Sequence, residues 1–305
     1  MKRGRRPLLA MLALLALLAA TTAQASQVYR WTDAQGRAHY ADRIEGAAAA
    51  DADRIVLPAG PTVVARLRVE PDAQGAQAWV DNLLAGPIEV MLHADGGAVA
   101  SDPPLPARGT VPALSGGLLA RIGPGTPRLR VTAVPGTPNA RPRDVEYAWP
   151  LQTANVRIQQ AWGGAFSHGD EENRHAVDFA VPSGTAVLAA RDGVVMQAEA
   201  GFPEASPGED EDELVARANF IRILHDDGTM ALYAHLQTGG VLVRLGQHVR
   251  RGQVIGLSGN TGRSTAPHLH FVVQANRGMR LASVPFRMFG PQGVLRFGAA
   301  QAGGG

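Results

Sequence analysis

The chain has no cysteine among its 305 residues. No disulfide can form, no thiolate can hold a metal, and no lipidated cysteine can tether a processed N-terminus. Outside a reducing compartment, stability must then come from packing or from a metal held by other donors. Lysine is nearly missing as well, with none after Lys2. That excludes a carrier module, which needs a modifiable lysine on a turn, although the stretch 252–262 otherwise resembles a lipoyl domain. Long apolar runs are also lacking. The one present, residues 8–20, has 13 residues, short of the ~20 that a spanning helix needs. Charge of one sign is not in excess, and nothing asks for nucleic acid as a partner.

What is there begins with Lys2, Arg3, Arg5 and Arg6, then the apolar run, then Ala23-Gln24-Ala25. This is the order of a secretory signal peptide over residues 1–25, cut after Ala25. The chain is therefore expected to be periplasmic or secreted, with no stable membrane anchor after cleavage. Removing the signal leaves 25 of the 29 Lys+Arg against all 27 Asp+Glu, a net charge of −2.

Glycine and proline are abundant (36 and 21), and short β-branched runs lie between them, so a mainly β fold is expected. Residues 26–58 read as a small hairpin domain: Tyr29-x-Trp31-x-Asp33, a turn at Gln35-Gly36, then His39-Tyr40-x-Asp42. That pattern resembles a domain of unknown function found near the start of bacterial envelope proteins. His39 has no second donor nearby and reads as a strand histidine. Residues 47–52 are a low-complexity linker. Residues 62–148 alternate strands (63–69, 78–80, 88–92, 128–132) with Pro/Gly turns and suit a β-sandwich. His93 is isolated there.

Chemistry concentrates in residues 151–290, which hold seven of the nine histidines. In Pro267-His268-Leu269-His270-Phe271 the alternation of a strand puts both imidazoles on one face, about 7 Å apart, and Leu269 and Phe271 in the core. Asp178 interrupts the apolar run 177–181, and a carboxylate there is costly unless a metal or a cation such as Arg174 or Arg191 neutralises it. Segments 187–195 and 220–236 read as hairpins, with His235 at the end of its strand. His225 and His248 read as surface histidines, and the acidic stretch 203–213 as a solvated insertion or mobile flap. The glycine-rich loop 256–264 is no phosphate loop, since Leu257 and Arg263 stand where Gly and Lys would be. Ser258, followed directly by Gly259, is no nucleophile elbow. A tail is expected over 291–305.

The motifs Asp178-Phe179-x-x-Pro182-x-Gly184-Thr185, Tyr233-Ala234-His235-Leu236, Gly252-Gln253-Val254-Ile255-Gly256-x-Ser258-Gly259-Asn260-Thr261-Gly262 and His268-Leu269-His270-Phe271 occur in the order of the lysostaphin/LytM-type zinc metallopeptidases, which this half of the chain resembles. The resemblance implies an antiparallel β core with a groove, one Zn2+ per chain, and peptidoglycan peptides as substrate. It implies Asp178 and His270 as metal ligands and His235 and His268 as the catalytic, non-ligand histidines. The family's remaining ligand is a His four residues before the Asp, where this chain has Arg174, and a guanidinium does not ligate zinc. His168, ahead of a longer loop, and His175 are the candidates, with His168 favoured. Envelope proteins are expected partners of the N-terminal domains. The competing expectation is a catalytically degenerate relative that binds or activates another cell-wall hydrolase.

Overall fold

The computed structural model describes residues 63–154, 156–204, 209, 214, 217–291 and 293–297, and the backbone of 27–32, 38–41 and 53–56. The signal segment, the linker at 47–52, the side chain of His39 and most of the acidic insertion lie outside the described residues. The chain divides into two units, residues 1–59 and 60–305. In the first, β1 (Gln27–Thr32) is the middle strand of three, between β2 (Ala38–Ala41) and β3 (Asp53–Val56), both antiparallel to it.

The second unit starts with seven strands: β4 (Ala65–Asp72), β5 (Gly75–Asn82), β6 (Ile88–Ala94), β7 (Ser101–Asp102), β8 (Ala107–Val111), β9 (Gly116–Ile122) and β10 (Leu129–Pro135). They form two antiparallel sheets, ordered β4-β5-β9-β7 and β10-β6-β8. Alternation decides the inner faces: Ala78 and Val80 on one sheet, Ile88, Val90 and Leu92 on the other, are wholly buried. The sandwich does not close on itself. Val80, Leu84, Ile88 and Val111 share a core with Met196, Met230 and Leu281 from further along the chain. Hydrogen bonds cross the same seam, Ala85 N to Met196 O at 3.0 Å and Asn276 Nδ2 to Gly136 O at 3.1 Å. The buried Glu89 carboxylate pairs with Arg108 and accepts from Met279 N at 2.6 Å.

The remaining strands are β11 (Glu146–Ala148), β12 (Arg157–Gln160), β13 (Val177–Ala180), β14 (Ala186–Leu188), β15 (Gly193–Glu199), β16 (Asn219–Leu224), β17 (Met230–Val241), β18 (His248–Val249), β19 (Val254–Ser258), β20 (His268–Asn276), β21 (Leu281–Ser283), β22 (Arg287–Gly290) and β23 (Gly293–Arg296). The main sheet runs β12-β13-β20-β17-β16-β15-β18. Strand β20 is its spine and is buried at every residue. Leu269, Phe271 and Val273 fill the core on one side with Phe179, Ile221, Ile223 and Tyr233. The opposite face carries His268 and His270.

Three expectations change. Residues 187–195 are not a hairpin: β14 pairs with β19 and β15 with β16. Ala189 and Ala190 between them are fully buried, and their amides go to Gln253 O and Tyr233 Oη, so the segment runs inward instead of turning back. His235 is not at a strand end, because β17 continues to Val241 past an irregularity there. Part of the expected tail is strand: β23 pairs with β22, and Phe297 is buried in the main core.

Candidate metal centre

Strands β13 and β20 are antiparallel with Asp178 directly opposite His270. Paired residues share a face, and His270 Nδ1 lies 2.9 Å from Asp178 Oδ1. His168 arrives from the loop between β12 and β13, fully buried, with Nε2 3.3 Å from Asp178 Oδ2. Donor atoms of His168, Asp178 and His270 all lie within 4.8 Å of one another. His268, two residues before His270, puts Nε2 3.9 Å from Asp178 Oδ1. His235 packs over His268 with ring centroids 4.5 Å apart, and is 5.8 Å from His270. Five residues from four separate segments thus meet at one point.

The ring orientations are set by backbone carbonyls. His168 Nδ1 donates to Ala161 O (2.9 Å), His235 Nδ1 to Thr261 O (2.7 Å) and His268 Nδ1 to Ala266 O (2.8 Å). Ser264 Oγ also lies 3.0 Å from His268 Nδ1. With the proton on Nδ1, each ring presents an Nε2 lone pair. For His168 that lone pair faces a carboxylate oxygen and has no hydrogen bond, although it is buried. Two acceptors face to face in the interior are unfavourable unless a cation lies between them. Burial pushes the Asp178 carboxyl up, but His168 and His270 beside it outweigh that and hold it well below the usual carboxylate range. That lowering requires a proton or a metal cation between the rings and the carboxylate, since no Arg pairs with Asp178 among the described residues. Arg191, one expected alternative, is committed to Asp226 and Asp227. The donor set and the orphaned Nε2 fit a divalent metal.

His235 has a left-handed backbone (φ 60°), a strained conformation for a side-chain-bearing residue. The loop after β19 clamps it: Thr261 Oγ1 donates to Leu236 O at 2.7 Å while Thr261 O takes the His235 proton. That loop must lie close on β17. A Cβ on Gly259 would sit 2.3 Å from Gln237 N, so only glycine fits. Burial, then the neighbouring His268 and His270, push the His235 pKa down to about 3. Burial also lowers His268.

His175 is absent from the cluster. Its Nδ1 lies 2.9 Å from Ser283 Oγ and its ring meets Trp162 edge-on at 4.9 Å. His248 is exposed as expected. His225 is a correction: it is 3% exposed, its Nδ1 donates to Asp192 O, and it packs edge-on against Tyr147. Tyr147 and the Asp192-Gly193 backbone cover the ring, contacts between distant segments that the hairpin pattern alone did not reveal. The residues that sequence reasoning missed are the orienting groups Ala161, Thr261, Ser264 and Ala266. Three of them act through main-chain oxygens, which carry no residue signature.

A β scaffold that buries a His-Asp-His group beside two further imidazoles has the donor set of a metal site. Residues 172–281 match the model of Peptidase family M23. The match takes in Asp178, His235, His268 and His270, while His168 lies just before it. Residues 14–78 match the Domain of unknown function (DUF4124). The peptidoglycan DD-endopeptidase ShyA of Vibrio cholerae is 43% identical over 97 residues, 32% of this chain and 19% of that protein. The glycyl-glycine endopeptidase ALE-1 of Staphylococcus capitis is 39% identical over 105 residues, 34% of this chain and 25% of that protein. The chain thus spans about a fifth to a quarter of the length of these relatives. Among solved structures, the catalytic domain of lysostaphin from Staphylococcus simulans is 32% identical, covering 40% of this chain and 81% of that one, with a TM-score of 0.29.

Proposed function

We propose that the chain is a zinc-dependent endopeptidase hydrolysing peptide bonds of peptidoglycan in the cell envelope, in the periplasm or outside the cell. The observation that carries this reading is the buried Asp178 carboxylate, ringed by imidazoles and paired with no Arg among the described residues. His168, Asp178 and His270 would hold one zinc, and three protein ligands leave room for solvent. The ion supplies Lewis acidity, making a water more acidic and a carbonyl more electrophilic at neutral pH. The names of the relatives, a peptidoglycan DD-endopeptidase and a glycyl-glycine endopeptidase, support the substrate class.

The chain's own groups would do the rest. Neutral His235, its Nδ1 proton engaged by Thr261 O, offers the Nε2 lone pair as general base. His268, held by Ala266 O and Ser264, would donate from Nε2 once protonated, to the oxyanion or to the leaving amine. A degenerate relative would lack a ligand or a catalytic histidine; here Asp178, His235, His268 and His270 stand at the matching positions, and His168 offers the donor that Arg174 cannot. Residues 1–25 are a signal peptide in this reading. Residues 26–58 and 62–148 are modules that meet envelope proteins, and 151–290 is the catalytic part.

Digestion of purified peptidoglycan by the zinc-loaded chain, with mass analysis of the fragments, tests the proposal. One zinc per chain and newly freed peptide ends are expected. A zinc-bearing chain that leaves peptidoglycan intact would be a binding protein, and a chain that takes up no zinc would overturn the metal reading.

A further inference from the structure

The register of the sheet places more than the metal centre on the face that carries His268 and His270. Reading across the strands, Asp178, His270, Ala234 and Phe220 form one row. The adjacent row holds Val272, Leu232, Arg222 and Gln197. Arg222 is therefore two strands and one two-residue step from His270, about 12 Å by sheet spacings. It lines a cavity of about 800 Å3, with Gln197 beside it. Val64, Ala133 and Leu281 form apolar wall, and Asp170 and Glu172 stand on the rim.

Both polar side chains are nine-tenths buried, Arg222 at 8% exposed and Gln197 at 8%. Arg222 Nη1 donates to Gln274 Oε1 at 2.5 Å, and Nε is sealed off without a partner. Arg222 makes no ion pair, and its Nη2 and the Gln197 amide make no hydrogen bond among the described residues. Glu172 on the rim acts on the guanidinium through charge alone, without an ion pair or a hydrogen bond, so the buried cation is compensated only in part. Burial lowers its pKa only to about 10, so it stays charged at neutral pH.

We propose that Arg222 and Gln197 form a subsite for a free carboxylate of the peptide substrate. The inference deepens the peptidase reading above and rests on it for the identity of the ligand. A guanidinium fork beside an amide donor matches one carboxylate. The acidic rim disfavours phosphates and polyanions, whose extra charge Asp170 and Glu172 would repel. At 3.3–3.4 Å per extended residue, about 12 Å sets that carboxylate roughly three to four residues from the scissile bond. Substrate choice would then depend on where a peptide carries its free acid.

The test is calorimetric binding of an N-acetylated, non-hydrolysable peptide analogue of the cross-link, as free acid and as amide, to the zinc-loaded full chain. The acid is expected to bind about tenfold more tightly than the amide, and Arg222→Met should bring the two to equal affinity. Gln197→Leu, which keeps the guanidinium, should shrink the ratio in part and serves if Arg222→Met does not fold. Equal binding of acid and amide by the unaltered chain would overturn the subsite even if peptidoglycan is cut. Discrimination that persists in a chain unable to cut peptidoglycan would support the subsite while sinking the activity.

Discussion

Two polar clusters in this chain use the same residue types to opposite ends. Around Asp227, whose side chain is 2% exposed, every demand is met internally. Arg191 Nη1 donates at 2.9 Å, Thr229 gives its amide and hydroxyl, and Arg143 gives its amide. His225 beside it is neutral and takes its place as an aromatic ring. Around Asp178 the neighbours are imidazoles, no Arg pairs with it among the described residues, and the buried His168 Nε2 is left without a hydrogen bond. The first cluster is complete and structural. The second is short of one cation, and that shortfall marks it as a site.

The contrast breaks most sharply at the ligands. Asp178→Asn and His168→Ala should each abolish zinc uptake and hydrolysis, while His175→Ala keeps the zinc; metal analysis of the three variants decides. Next, His235→Ala should retain one zinc but lose about 10²–10⁴ in kcat, as removal of a general base does, which steady-state kinetics on a soluble fragment would read. At the completed cluster, Asp227→Asn should leave zinc and the fold in place yet cost about 3 kcal/mol by taking the charge from an acceptor shared by Arg191, Thr229 and the Arg143 amide, seen in urea unfolding. The smallest effect is acid lability at His225. Burial depresses its pKa to about 4, below the ~6.5 of an unfolded chain. Its contribution is complete above pH 6.5 and is lost as pH falls towards 4, up to about 3 kcal/mol. Urea midpoints of His225→Phe should flatten over that window relative to the unaltered chain.

Much of this was legible beforehand. The His268-x-His270 alternation fixed their common face, and Asp178 in an apolar run marked a compensated carboxylate. The preference for His168 over His175 agrees with the geometry, since only His168 reaches Asp178. Other features were hidden because they depend on contacts across the fold. The burial of His225 comes from Tyr147 and the Asp192 carbonyl, distant in sequence, and the inward run of 187–195 from two alanines whose amides bond elsewhere. Arg222 looked like an ordinary alternating strand residue. Only the pairing of β15, β16, β17 and β20 puts it near the imidazoles.

The seam between sandwich and peptidase has a practical corollary. Cutting the chain near residue 150 to obtain a minimal catalytic fragment would strip Met196, Met230 and Leu281 of Val80, Leu84 and Ile88. An oily flank would be left facing water, and Met279 N would lose its acceptor, Glu89. Such a fragment should aggregate where the 60–305 piece stays in solution, and attempts to shorten the protein should begin upstream of β4.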